Sequence, residues 1–361
     1  MSEIPTYFND FLHEIRLTDE LTAELKKAHT DLRNRLQSDE ITKDLLVDSF
    51  IQGSYARSTC IKPEPGDKVD VDVIAVTNID HENTSPQEAF STIKPFAEKY
   101  YDQVQQQRRS IGISLEKVDI DLVITAAPSE EVKRELCSAH LNEAFTVESI
   151  ETQSHLSHMD DAKKADINKF FHLDDEEGAW RKEPLLIPDS ETNEWYRTHP
   201  LEQIRWTIEK NKACNGHYIN VVKAIKWWKR KAMPNDKHPK SYPLEHFIGN
   251  CCPDGIHSVA EGIAESFKKI LWYPKKPFLP DRGVPEHDVF ESLSEEDYQT
   301  FYNAVKQYHP LAKKAIESVD TAESVRLWRQ FFCNCEEFPS YRGGFTPRTQ
   351  KTESVPTGRF G

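Results

Sequence analysis

Residues Val69–Val76 read Val-Asp-Val-Asp-Val-Ile-Ala-Val, with acidic and apolar residues alternating before the run becomes wholly apolar. Successive side chains of a β-strand point to opposite faces, so Asp70 and Asp72 share one face while the valines pack on the other. The two carboxylates then lie about 7 Å apart along the strand, which is wide enough to straddle two cations separated by about 3.5–4 Å. The stretch predicts a buried strand that carries its acids on one face.

A second acidic strand is predicted at Val118–Ile124, where Asp119 and Asp121 also share one face. Carboxylates on adjacent apolar strands need a counter-ion, because an unpaired buried charge is costly. Mg²⁺ supplies that charge with oxygen ligands alone, from carboxylates, phosphates and water. We expect Asp70, Asp72 and one carboxylate of the second strand to bind metal. Either Asp119 or Asp121 fits the third position.

The dipeptide Gly53-Ser54 follows the apolar pair Phe50-Ile51 and precedes a short helix predicted from Tyr55. Free backbone N–H groups at a helix start attract phosphate. Gly53 lets a triphosphate approach the backbone, and Ser54 offers a hydroxyl donor. Alone, such a pair is typical of a helix cap and a turn. Combined with the acidic strands, it indicates transfer of a nucleotidyl group with two metal ions.

The segments Gly53–Arg57, Asp70–Val73 and Asp121–Val123 resemble motifs of the polymerase beta-type nucleotidyltransferases. Within that superfamily the chain resembles the CD-NTases, bacterial cyclic oligonucleotide synthases similar to cyclic GMP–AMP synthase. The match to the family's Asp-Leu-Val favours Asp121 over Asp119 as third ligand. One departure is Ile124, which stands where the family has proline.

The resemblance implies an α+β fold with two lobes, a mixed sheet flanked by helices and a helical C-terminal lobe, joined by a long N-terminal spine helix. We expect residues 1–200 to form the catalytic lobe with the spine helix, 201–340 the helical lobe, and 341–361 a disordered tail. The sequence predicts the spine helix from Thr18 to about Gln37. The other strand and the main helices are predicted at Ile111–Leu115, Pro86–Tyr101, Leu244–Cys251, Ser258–Ile270, Glu295–Gln307 and Ala322–Cys333.

The helical lobe is expected to supply the second wall of a nucleotide cleft. Lys226, between Ile225 and Trp227, is either a surface lysine or a contact for triphosphate, and the resemblance favours the latter. Ser241 and Tyr242 match a Ser-Tyr pair that closes on donor phosphate and base in related synthases. Tyr242 would stack on a base, or it covers the core beside its neighbours.

Arg57 is a weaker candidate for phosphate contact, with an exposed ion pair as the alternative. A zinc site is less well supported. His246, Cys251 and Cys252 would need His257 as a fourth ligand, and buried helix cysteines explain them better.

The resemblance implies a Mg²⁺-dependent enzyme (two ions, with Mn²⁺ as a substitute) that makes a cyclic di- or trinucleotide from NTPs, ATP among them, in anti-phage (CBASS) signalling. A linear transferase acting on RNA or protein, and a nucleotide sensor with a dead site, are the alternatives. Intact Asp70, Asp72 and Asp121 argue against the sensor.

The composition of the chain limits the kinds of partner and the compartment that the sequence predicts. The 361 residues carry a formal charge of −14, and this acidity disfavours a stable nucleic-acid partner. No apolar run is long enough for a membrane span. Seven cysteines, an odd number, suggest a reducing cytoplasm rather than a disulfide framework. The tail ends at Gly361, and some operons of the resembling family encode a ubiquitin-like conjugating partner that would act through this glycine to activate the enzyme. A frayed end without function is the alternative.

Overall fold

A computed structural model describes residues 4–139 and 178–343 of the chain. Two hydrophobic clusters organise these residues, one around a mixed β-sheet and the other among helices. The predicted α+β class is confirmed. The segment 344–361, which holds most of the tail predicted to be disordered and its terminal Gly361, lies outside the described residues.

The elements are numbered along the described chain. The strands are β1 (Leu46–Gln52), β2 (Val69–Thr77), β3 (Val104–Gln106), β4 (Ile111–Ser114), β5 (Val118–Ala126), β6 (Leu185–Asp189) and β7 (Glu194–Thr198). The helices are α1 (Pro5–Ile15), α2 (Asp19–Ser38), α3 (Gly53–Ala56), α4 (Pro86–Tyr100), α5 (Glu130–Ser138), α6 (Ala179–Lys182), α7 (Pro200–Ala213), α8 (Tyr218–Ala232), α9 (Ser241–Cys251), α10 (Val259–Ile270), α11 (Glu295–Glu317) and α12 (Thr321–Phe331).

The sheet has the strand order β1-β2-β5-β4-β3, with β6 paired to the end of β5 and β7 paired to β6. Strands β2 and β5 run parallel, whereas the other pairs are antiparallel. A tight connection at Glu116-Lys117 joins the antiparallel strands β4 and β5. The two strands that carry the acidic motifs therefore lie side by side in the centre of the sheet.

The two N-terminal helices pack in different clusters. The predicted start of α2 is confirmed, because the Thr18 hydroxyl accepts a hydrogen bond from the Leu21 N–H at 3.2 Å. The apolar stripe of α2, which includes Leu25 and Leu32, is buried against the sheet. Helix α1, by contrast, buries Phe8 in the helical cluster. The N-terminal connection between the lobes thus consists of two helices rather than α2 alone.

The proposed division at residues 200 and 340 stays a prediction. Leu201 and Ile204 of α7 follow residue 200 but pack in the sheet cluster. Helix α1 precedes residue 200 but packs in the helical cluster.

The helical cluster is rich in aromatic residues. Trp228 of α8 is fully buried, with its ring 4.7 Å from Phe267 and 6.0 Å from Phe331 between ring centroids. Helix α11 was predicted to end at Gln307, but it continues through Pro310 to Glu317. Its buried stripe continues beyond the proline, and this packing offsets the lost backbone hydrogen bond. Among the described helices, none combines the length and apolar character needed to cross a membrane.

Candidate active site

Four carboxylates lie on one face of strands β2 and β5. The parallel register pairs Asp70 with Asp119 and Asp72 with Asp121, and neighbouring strands are about 4.8 Å apart. Val71 and its neighbours are buried on the opposite face, as the alternation predicts. The structure therefore brings the three predicted metal ligands together on adjacent strands.

The pKa values of the Asp70, Asp72 and Asp121 carboxyl groups are raised. Desolvation in the cleft, followed by the charges of Asp119 and Asp121, raises the pKa of Asp70 to about 6, although its side chain reaches solvent. Burial and the charge of Asp121 raise the pKa of Asp72 to about 6, against an opposing effect of Arg57. Burial also raises the pKa of Asp121. A bound cation would relieve this mutual repulsion.

Asp119 and Asp121 differ in their surroundings. Asp119 accepts a hydrogen bond from the Ser114 hydroxyl and lies 3.4 Å from the Lys68 ammonium. Asp121 accepts a hydrogen bond from the Ser110 hydroxyl at 3.3 Å. Among the described residues it forms no ion pair with a lysine or an arginine. Asp119 thus already has a cationic partner, and this difference favours Asp121 as the predicted third ligand.

Gly53 opens the single helical turn α3 and lies against Asp72. Its φ is +77°, and a Cβ at this position would lie 1.8 Å from Asp72 Oδ2. Only glycine leaves room for that carboxylate and adopts this backbone without strain. Ser54, the next residue, has its hydroxyl 2.9 Å from the Cys60 thiol.

A cavity of about 410 Å³ adjoins these residues. Its sheet side includes Ser54 and Asp70, and its helical side includes Lys226 and Ser241. Further cations line the same wall, among them Lys229 and Lys237. Four residues predicted from the sequence therefore line one cavity between the acidic strands and the helical cluster.

Lys226 and Arg57 are both buried and both contact Glu245. The Lys226 ammonium donates to the Thr59 carbonyl at 3.1 Å and lies 3.2 Å from a Glu245 carboxylate oxygen. Arg57 Nε donates to the other Glu245 oxygen at 2.6 Å. The alternative of an exposed ion pair for Arg57 is wrong, because the pair it forms is buried. Nothing in the local pattern of the sequence identified Glu245 as the shared partner.

Tyr242 lies on a different cavity from Lys226. It lines a space of about 510 Å³ together with Arg109, Tyr196 and Asp281. Its hydroxyl donates to Asp281 Oδ2 at 2.7 Å, and the Arg57 guanidinium lies 5.1 Å from its ring centroid. Tyr242 and Ser241 are therefore adjacent in sequence but face separate ends of the region between the clusters.

Within residues 4–139 and 178–343, no group of three His, Cys, Asp or Glu side chains, the aspartates of β2 and β5 included, is arranged to hold a metal ion by itself. His246, Cys251 and Cys252 are instead buried. The acidic face fits Mg²⁺ in another way, because Mg²⁺ commonly takes one or two carboxylates and completes its shell with water and substrate phosphates.

In sequence, this chain is similar to known cyclic oligonucleotide synthases. Residues 1–162 match the model of the Second Messenger Oligonucleotide or Dinucleotide Synthetase (SMODS) domain. A probable cyclic AMP-AMP-GMP nucleotide synthase of Salmonella paratyphi B is 43% identical, over 99% of this chain and 100% of its own length. The cyclic AMP-AMP-GMP synthase of Enterobacter hormaechei subsp. hoffmannii is 40% identical, with the same coverage.

Solved structures share the fold at low identity. Escherichia coli MS115-1 CdnC, solved with ATP, superposes with a TM-score of 0.62 at 14% identity, covering 94% of this chain and 100% of that one. Vibrio cholerae DncV, a cyclic AMP-GMP synthase solved with nonhydrolyzable GTP, gives 0.63 at 14% identity, with coverages of 92% and 96%.

Proposed function

Because this chain belongs to the CD-NTase family of cyclic oligonucleotide synthases, we propose that it joins ribonucleoside triphosphates into a cyclic di- or trinucleotide. The observation that carries the proposal is the register of β2 and β5, which sets Asp72 beside Asp121 on the face that also carries Asp70. Gly53 and the cavity lined by Lys226 adjoin that face.

Asp70, Asp72 and Asp121 are the residues proposed to hold two Mg²⁺ ions, for which Mn²⁺ would substitute. When bound, such ions lower the pKa of an attacking hydroxyl and neutralise charge on the transferring phosphate. The fit rests on the donor set, which consists of hard carboxylate oxygens whose raised pKa values reflect burial first and then mutual repulsion, and a cation would offset both.

The remaining residues would bind and orient the nucleotide. Ser54 is proposed to donate its hydroxyl to phosphate, and Gly53 to keep the backbone close to it. Lys226 and Ser241 would contact the triphosphate from the helical wall of the same cavity. Tyr242 would present its ring to a base in the adjoining cavity, where Asp281 fixes its hydroxyl.

The substrates proposed are ATP and GTP, and the product a cyclic trinucleotide, because the relatives that cover the whole chain are named cyclic AMP-AMP-GMP synthases. The signalling role proposed is anti-phage (CBASS) defence in the cytoplasm. All seven cysteines are free thiols, in keeping with a reducing compartment. A partner protein is proposed as activator, since E. coli CdnC is known in complex with HORMA. The conjugation proposed at Gly361 concerns residues outside those described.

The test is incubation of the purified protein with all four NTPs and Mg²⁺, followed by mass spectrometry before and after phosphatase treatment. We expect a phosphatase-resistant cyclic product, and none after chelation with EDTA or in an Asp70→Asn, Asp72→Asn double variant. A phosphatase-sensitive linear product would replace the proposal with a linear transferase. Binding without turnover, with the activating partner present, would indicate a nucleotide sensor.

A further inference from the structure

We propose that Glu245 is a positioning residue for nucleotide binding, acting through Lys226. The inference rests on the proposed function, since it concerns how Lys226 is presented to the triphosphate. Glu245 does not line the cavity that holds Lys226 and Ser54, so it would act without contacting substrate.

The Glu245 carboxylate uses both oxygens. One oxygen accepts the Arg57 Nε–H at 2.6 Å, and the other accepts the Thr59 hydroxyl at 2.7 Å and the Lys226 ammonium at 3.2 Å. The side chain of Glu245 is only 4% exposed. Water therefore does not compete for these contacts, and the position of each partner depends on the carboxylate.

This network joins the two walls of the cleft. Arg57 and Thr59 follow α3 on the sheet side, whereas Lys226 and Glu245 lie on helices α8 and α9. The Thr59 N–H donates to the Ser54 carbonyl at 2.8 Å. Glu245 thereby links the turn that carries Ser54 to the helix that carries Lys226, and both of these residues line one cavity.

The charges in the network favour an incoming anion. Arg57 and Lys226 both pair with the single Glu245 carboxylate, and Lys226 lines the cavity together with the cations Lys229 and Lys237. Burial alone would raise the pKa of Glu245, but the charges of Arg57 and Lys226 hold it down at about 2. The carboxylate is therefore ionised at any pH at which the enzyme would be assayed. A triphosphate reaching Lys226 would meet an ammonium that is already fixed in place, which reduces the entropy lost on binding.

The experiment compares Glu245→Gln, Lys226→Met and the double variant in steady-state assays with varied ATP. We expect Glu245→Gln to raise KM roughly tenfold and to change kcat less. We expect the double variant to be no worse in KM than Lys226→Met alone, because a residue that acts through Lys226 has no effect once Lys226 is removed.

Asp39→Asn is the matched control. Asp39 is also a fully buried carboxylate, held by the Lys99 ammonium at 2.6 Å and the Tyr100 hydroxyl at 2.9 Å, but it does not line the cavity with Lys226. The Asp39→Asn variant should lower the midpoint of thermal unfolding and leave the KM for ATP unchanged. If Glu245→Gln behaves like this control, lowers KM, or adds its effect to that of Lys226→Met, the inference is wrong.

Thr59→Val is the second variant if Glu245→Gln does not fold. It removes one hydroxyl that contacts both Glu245 and Lys226 while keeping the side-chain shape. We expect a rise in KM of roughly threefold, and an unchanged value would count against the inference. Absence of turnover in the wild type would contradict the proposed function instead, so the two failures are distinguishable.

Discussion

Asp72 experiences opposing charges from its two sides. Asp121, paired with it in the register of β2 and β5, raises its pKa after the larger effect of burial, whereas Arg57 lowers it. The resulting pKa of about 6 means that the folded protein takes up a proton at this residue that the unfolded chain has already lost. Ionisation of Asp72 without a cation therefore opposes folding.

Asp72→Asn is expected to stabilise the metal-free protein at neutral pH. The contribution of Asp72 to the wild-type free energy of unfolding falls as the pH rises from about 4 to 6, because Asp72 ionises later in the folded state than in the unfolded state. The advantage of the variant should grow over this window and reach about 3 kcal/mol above it. Urea unfolding with EDTA at pH 4.0 and 7.5 measures it. An equal advantage at both pH values would show that the charge is not the cause.

Asp121→Asn and Asp119→Asn should differ strongly in turnover. We expect Asp121→Asn to reduce kcat by at least ~100-fold, since a bound metal ion supplies several kcal/mol of charge stabilisation. Asp119→Asn should stay within about fivefold of wild type, because it loses only an ion pair with Lys68 that is partly exposed. Pyrophosphate release measures both. The reverse order would move the third ligand to Asp119.

The turn between β1 and α3 is shaped by the strand beside it. Strand β1 pairs with β2 so that Gln52 lies opposite Asp72, and the chain leaves β1 through Gly53 with a φ of +77°. Pairing of the two strands therefore brings Gly53 against Asp72, and Ser54 follows Gly53 in α3.

Gly53→Ala is expected to lose both stability and turnover. The strained φ should cost about 1–2 kcal/mol, and the new Cβ, 1.8 Å from Asp72 Oδ2, must displace that carboxylate. Gly255→Ala is the matched control, because Gly255 has a φ of +76° with nothing within 4 Å of its Cβ position. The control should lose stability and keep activity. If the two variants have equal activity, contact with Asp72 is not what requires glycine.

At the scale of the whole molecule, each cluster encloses a histidine that stays neutral. Burial lowers the pKa of His29, in the sheet cluster beside Tyr55, to about 3. Burial lowers the pKa of His246, next to Tyr242, to about 4. The unfolded chain protonates both near pH 6.5. These two histidines should therefore contribute a loss of stability as the pH falls below that value, because protons bind to them in the unfolded state first.

His29→Leu should reduce this acid sensitivity. Neither ring nitrogen of His29 has a hydrogen-bond partner within the described residues, so the substitution removes a titrating group without breaking a described hydrogen bond. Between pH 7.5 and 5.0 the wild type should lose about 2 kcal/mol more of unfolding free energy than the variant. Urea midpoints at the two pH values measure the difference. Equal losses would show that His29 does not titrate on unfolding.

Local periodicity determined much of the architecture. Alternation in Val69–Val76 and Val118–Ile124 predicted both acidic strands, and the apolar stripe after Thr18 predicted α2. Such patterns depend only on the period of a strand or helix. Strands β6 and β7 and helix α1 were not predicted. Strands β6 and β7 are five residues each, and a short strand owes its stability to pairing with distant residues rather than to its own pattern.

The sequence by itself also limited the candidate carboxylates of the site to four, because the side-chain period of a strand places Asp70 with Asp72 and Asp119 with Asp121. Only the tertiary structure decided what surrounds them. Contacts across large sequence separations neutralise Asp119 with Lys68 and bury Arg57 against Glu245. No local pattern encodes these contacts, since the free energy of an ion pair depends on burial and distance, and both are set only when the two clusters pack together.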